Sequence, residues 1–131
     1  MKSGKGSGLR VGINILLLLA AVSTPARAAA IYTGNIATNL GNGQWDWTVF
    51  ITADKTTLNS VRCVEYTLHP TFPSPIRVVC EKGSDARAFA LRARGWGEFD
   101  IKIKITLQDG TTQFATHHLL LRNQTQAQRK R

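Results

Sequence analysis

"FDIKIKITL" (Phe99–Leu107) alternates without a break. Phe99, Ile101, Ile103, Ile105 and Leu107 fall on one side, and Asp100, Lys102, Lys104 and Thr106 on the other. A period of two is the signature of a half-buried antiparallel strand, because successive side chains of an extended chain point to opposite faces. "QDGT" (Gln108–Thr111) follows, and Asp109-Gly110 is a hairpin signal. With a two-residue turn, Ile105 would face Phe114 and Ile101 would face His118. That register sends His118 toward the core and His117 toward solvent. Adjacent strand histidines look in opposite directions, so "HH" is not a chelating pair.

The same alternation recurs upstream. "QWDWTVFITAD" (Gln44–Asp54) puts Trp45, Trp47, Val49 and Ile51 on one face. "VRCVEYTLH" (Val61–His69) aligns Val64, Tyr66 and Leu68, and "ARAFALRA" (Ala86–Ala93) aligns Phe89, Leu91 and Ala93. "IRVVC" (Ile76–Cys80) and "IYTGNIATN" (Ile31–Asn39) are further strand candidates. No segment sustains helical spacing. About seven to eight short strands separated by turn residues predict an all-β, immunoglobulin-like sandwich.

The beginning of the chain reads differently. "MKSGKGSGLRVGINILLLLAAVSTPARA" has a basic start, an apolar run from Val11 to Val22 broken by Asn14, and a small-residue cleavage pattern at Ala26–Ala28. This is the pattern of a secretory signal peptide over residues 1–28, and the run is short for a membrane span. The expected organisation is that leader, one domain over 29–122, and a polar, basic, disordered tail over 123–131. Export places the domain in the periplasm or outside the cell. No later stretch is long and apolar enough to cross a bilayer.

Charge narrows the partners. The chain holds 17 Lys+Arg against 8 Asp+Glu, a net +9. Lys2, Lys5, Arg10 and Arg27 lie in the leader, which takes four from that surplus and leaves +5, part of it in "QRKR". So small an excess reads as solubility before nucleic-acid binding. The two cysteines, Cys63 and Cys80, both lie in the exported part. An oxidising compartment invites a disulfide between them. Two separate thiols remain the alternative, since alternation puts Cys63 on the face of Glu65 and Thr67, away from the core.

Signatures of catalysis are missing. No Gly-rich phosphate loop, G-x-S-x-G or H-E-x-x-H occurs, and the cysteines have no histidines at metal-site spacing. The reading is a non-enzyme with no catalytic residues, no metal and no cofactor. Two loops stand out instead. "LHPTFPSP" (Leu68–Pro75) is stiffened by three prolines and presents Phe72. "RGWGEF" (Arg94–Phe99) holds Trp96 between glycines. Two rings at one end of a sandwich can form a slot for a flat group, or they can simply cap the core.

At these residues the sequence resembles the YEATS domain, in its prokaryotic branch. The resemblance rests on "WTVFI" (Trp47–Ile51), "VEYTLHPTFPSPIRVV" (Val64–Val79) and "GWGEFDIKIKI" (Gly95–Ile105), in the family's order. It implies an immunoglobulin-like sandwich that reads acylated lysines. By position, Phe72 and Trp96 would be the two rings around the acyl-amide, Thr71 the hydroxyl that bonds the amide, and His69 a pocket wall. The Trp96 N–H would hold the acyl carbonyl, with Gly95 and Gly97 letting the backbone approach. Trp45 is the candidate for a third aromatic beside "LGNGQW". The partner so implied is an acylated peptide or small acylated amine. The competing expectation is a structural or protein-interaction domain that uses its surfaces or edges and takes no acyl ligand.

Overall fold

The computed structural model describes residues 30–123. The leader expected over residues 1–28 lies outside that range, and so does all of the expected tail except Asn123. Seven strands form two antiparallel sheets. β1 (Tyr32–Gly41), β2 (Gln44–Thr52) and β5 (Ala88–Gly95) make a three-stranded sheet in the order β1-β2-β5. The other sheet has the order β4-β3-β6-β7, from β3 (Val61–Thr67), β4 (Ile76–Val79), β6 (Asp100–Leu107) and β7 (Thr112–His118). This is the all-β, immunoglobulin-like sandwich that the alternation predicts.

The core forms where the inner faces meet. β2 supplies Trp47, Val49 and Ile51, β3 supplies Val64 and Tyr66, and β6 supplies Ile101, Ile103 and Ile105. Each such side chain withdrawn from water stabilises the fold by about 1.5–3 kcal/mol. Lys102 stays exposed on the outer face of β6, while Lys104 is half-buried between Glu65 and Phe114, its cross-strand neighbours.

Three features depart from the sequence reading. The first is a single-turn helix, α1 (Lys55–Asn59), between β2 and β3. It is too short to show helical periodicity, but it carries a cap: Asp54 Oδ1 accepts a hydrogen bond from the Thr57 N–H at 2.8 Å.

The second is the β6–β7 register. Lys104 pairs with Phe114, Ile105 with Gln113 and Ile101 with His117. Leu107 N donates to Thr111 O, so the loop is the three residues Gln108–Gly110, closed by Gly110 at φ +90°. That is the three-residue hairpin, whose last residue must be left-handed. One extra loop residue exchanges the faces of β7. His117 therefore points inward and is half-buried, His118 is exposed, and Phe114 is 74% exposed.

The third lies in β5. Between Val49↔Leu91 and Ile51↔Ala88 the pairing slips. Phe89 sits at the slip with φ +50°, buried, and donates its N–H to Lys82 O. The bulge lets Ala88 and Phe89, neighbours in sequence, both be buried. Beyond β7, Asn123 is held rather than loose: it bridges to Ala37, and its Oδ1 accepts from the Asn39 N–H at 3.3 Å.

The Cys63–Cys80 disulfide is formed. Val64 pairs with Val79, which sets the two cysteines opposite each other across β3 and the end of β4. The bridge needs no core position; it lies on the outer face to which alternation assigns Cys63.

Candidate functional site

Antiparallel pairing brings the β1–β2, β3–β4 and β5–β6 connections to one end of the sandwich. Thr67 pairs with Lys102, and Trp45 with Gly95. An open groove of about 310 Å³ lies at that end, between the loop after β3 and the loop after β5.

The β3–β4 wall is built by the backbone. Leu68 N donates to Pro75 O at 2.8 Å, closing the loop base, and Phe72 N donates to His69 O at 3.0 Å. Pro70, Pro73 and Pro75 restrict φ and bring no N–H to satisfy. Arg77 then fastens the turn, with Nε donating to Ser74 O at 2.6 Å and Nη2 to Pro73 O at 2.9 Å.

His69 and Thr71 form a pair on this wall. The Thr71 backbone N–H donates to His69 Nδ1 at 3.2 Å, so Nδ1 carries the lone pair and the ring proton is on Nε2. Thr71 Oγ1 lies 2.9 Å from the same nitrogen and donates to it. The hydroxyl has thereby spent its proton, and its lone pairs are left to accept an N–H from the groove.

Phe72 is half-buried and rests on an aromatic cluster. Its ring meets Trp47 edge-on at 6.1 Å and Phe99 at 5.5 Å, while His69 meets Phe99 at 6.0 Å. Gly95 lies beneath. A Cβ there would come within 3.2 Å of Phe72 Cζ, so glycine is what lets this ring settle against β5. Around Gly97 the corresponding space is empty. Trp96 is 74% exposed, which separates it from the packed cluster and rules out a role as a core plug.

Arg94 and Glu98 bring charge to the groove lining, and Glu98 has partners beyond it. Glu98 Oε2 accepts from the Leu121 N–H at 2.8 Å, and its Oε1 lies 3.5 Å from His118 Nε2. His118 Nδ1 is 2.8 Å from Asp100. The bond to Asp100, with help from Glu98, holds the His118 pKa above its ordinary value. On the outer face of β2 and β5, Asp46 is engaged by Arg92 through a two-pronged ion pair, and the hydrogen bond to Arg92 keeps its pKa below the usual carboxylate range.

His69, Thr71, Phe72, Gly95, Trp96 and Gly97 all line this groove, gathered from two loops distant in sequence. Trp45 does not line it. It packs against the core, and its neighbour Gln44 takes the place at the groove. Alternation forces this, because Trp45 shares the inward face with Trp47. Pro73, Arg94, Glu98 and Phe99 also line the groove and were not singled out by sequence. Phe99 looks like a core residue from its place in the alternating run, and it serves as both core and floor. Nothing local marks Arg94 or Glu98.

Comparison with known proteins agrees with this fold. Residues 45–119 match the family model of the prokaryotic YEATS domain. The AF-9 homolog of Eremothecium gossypii is 31% identical over 124 residues, which cover 84% of this chain and 57% of that protein. The AF-9 homolog of Kluyveromyces lactis is 36% identical over 80 residues, covering 57% of this chain and 34% of that one. The chain thus spans only part of the length of these relatives. Among solved structures, the yeast AF-9 homolog Yaf9 superposes with a TM-score of 0.61 at 27% identity, over 73% of each chain. The Yaf9 YEATS domain bound to H3K27ac gives 0.58 at 25% identity, over 77% of this chain and 80% of that one. By the family model, which matches more than half of its length, this chain belongs to the prokaryotic YEATS domain family.

Proposed function

We propose that the chain is a binding module whose groove takes the planar amide of an acylated amine. The observation that carries the reading is the Thr71–His69 pair in the groove that Phe72 and Trp96 also line: a hydrogen-bonding group in the company of aromatic surface. An acyl-amide offers an N–H to Thr71 Oγ1 and two flat faces to the rings, each ring contact being worth about 0.5–1.5 kcal/mol. An unmodified lysine would have to shed the hydration of its ammonium against a mostly apolar wall, which costs several kcal/mol if dry. The similarity to a domain solved with H3K27ac supports the same ligand class. The proposed partner is an acylated peptide or small acylated amine, bound without chemical change. Export rests on the leader pattern, and it makes a histone an unexpected partner. Calorimetry with acetylated and unmodified lysine peptides tests the module: binding of the acetylated form alone supports it, and equal binding or none removes it.

A second reading, a protein-interaction domain without an acyl ligand, is favoured by the outer face of the four-stranded sheet. Val78, Glu65, Lys104 and Phe114 lie in one cross-strand row, with Val78 60% and Phe114 74% exposed.

A further inference from the structure

The groove is larger and more polar than an acyl-amide requires. Its volume of about 310 Å³ reaches the range of small-molecule sites, whereas an acetamide is only a few atoms. Thr71 and Phe72 answer to the amide. Gln44, Arg94 and Glu98 line the same groove with a planar amide, a guanidinium and a carboxylate, and nothing in an acetylated lysine side chain engages them. Among the described residues Arg94 forms no ion pair, so its N–H donors are open to a ligand. Glu98 accepts from the Leu121 N–H through Oε2, and a carboxylate keeps further lone pairs beyond that bond. Trp96, at 74% exposure, adds a broad apolar face open to solvent.

We infer that the acylated amine this groove takes is an N-acetylated amino sugar. Such a ring carries three chemistries on one rigid body: an acetamide for Thr71 and Phe72, a face of C–H groups for Trp96, and hydroxyls for Gln44, Arg94 and Glu98. A hydroxyl both donates and accepts, so it satisfies the N–H groups of Arg94 and Gln44 as well as the oxygens of Glu98 and Gln44. A lysine side chain leaves those groups to water and gives up rotamer freedom when it is held. A sugar ring is already fixed in shape and loses less on binding. Export, as the leader pattern predicts, would bring the domain to such sugars, which are building blocks of extracellular polymers. The same chemistry comes from a free sugar or from a polymer chain.

This inference rests on the acyl-amide reading, and the test separates the two. Four ligands are titrated by calorimetry: N-acetylglucosamine, its β-linked trimer, the corresponding glucose trimer with hydroxyls in place of the acetamides, and an acetyl-lysine peptide with neutral flanks. The acetylated trimer should bind on the order of tenfold more tightly than the peptide, the effect of one or two net hydrogen bonds. The glucose trimer should not bind. Equal affinities of monosaccharide and acetylated trimer support a free sugar, and a tighter trimer supports a polymer chain. Because the sugar is neutral, its affinity should hold at high salt. Gln44→Ala and Arg94→Ala should each weaken the sugar by roughly two- to tenfold and leave the peptide nearly unchanged. Trp96→Ala should weaken both. Equal binding of the glucose and acetylated trimers overturns the inference, and so does a sugar affinity that survives both Gln44→Ala and Arg94→Ala. A peptide that binds alone, or as tightly as the acetylated trimer, also overturns it and leaves the module standing. Failure of all four ligands to bind overturns both.

Discussion

The Tyr66 hydroxyl donates to the carbonyl oxygen of Phe89, 2.6 Å away, joining the two sheets through the middle of the core. Both residues are buried, and burial pushes the phenol pKa well up, so Tyr66 stays neutral and able to donate. The acceptor belongs to the residue with φ +50° at the β5 bulge. Tyr66→Phe would leave that carbonyl buried and unpaired, a loss of about 1–3 kcal/mol. The urea midpoint should fall with the slope unchanged; an unchanged midpoint would mean that the bond holds nothing in place.

Gly95→Ala tests the wall of the groove. The new methyl would press on Phe72 Cζ, and overpacking of this kind costs about 1–3 kcal/mol. Phe72 is the part free to yield, so acyl-peptide affinity should drop more than in Gly97→Ala, where the space is empty. Equal affinities for the two variants would show that the position of Phe72 does not matter to binding.

Ile103→Ala should cost about 2–5 kcal/mol, since Ile103 is 1% exposed in the central strand β6. Lys102→Ala, one residue away on the outer face, should stay within about 0.5 kcal/mol. Thermal or urea unfolding of the pair checks the assignment of faces.

The adjacent histidines should give opposite pH slopes. His117 donates from Nε2 to Asn35 Oδ1 at 2.7 Å and accepts at Nδ1 from the Thr33 hydroxyl at 3.0 Å. Burial, and behind it the charge of His118, lowers its pKa. Below about pH 6.5 the unfolded chain takes a proton that folded His117 resists, so its contribution is present above that pH and lost as pH falls. His118 is the reverse: its raised pKa stabilises the fold below about 6.5, and that contribution disappears as pH rises through the folded value. His118→Gln should make melting temperature fall more steeply on acidification from pH 8 to 5, and His117→Gln should flatten the fall. Parallel profiles for both variants would refute the assignment.

Local patterns made the sandwich legible. Alternation in β2, β3 and β6 names most of the core, and the two loop motifs name six residues that do share a groove. What the sequence hides depends on distant geometry. Asp109-Gly110 announces a hairpin but not its length, and one residue reverses the roles of His117 and His118. Trp45 looks available for a ligand until its register opposite Gly95 is known. Phe89 gives no sign of a bulge. Nothing local marks Arg77, yet it tethers the proline loop.

The chain between Cys63 and Cys80 contains every groove residue of the β3–β4 side: His69, Thr71, Phe72 and Pro73. The disulfide closes that stretch into a ring. A protease cut within His69–Ser74 would therefore open the ring without dividing the molecule, because both new ends stay covalently joined through Cys63 and Cys80. On a non-reducing gel the nicked protein should run as one band, and reductant should split it in two. The half of the groove formed by Gly95–Phe99 would remain attached, so damage to one wall need not shed the other.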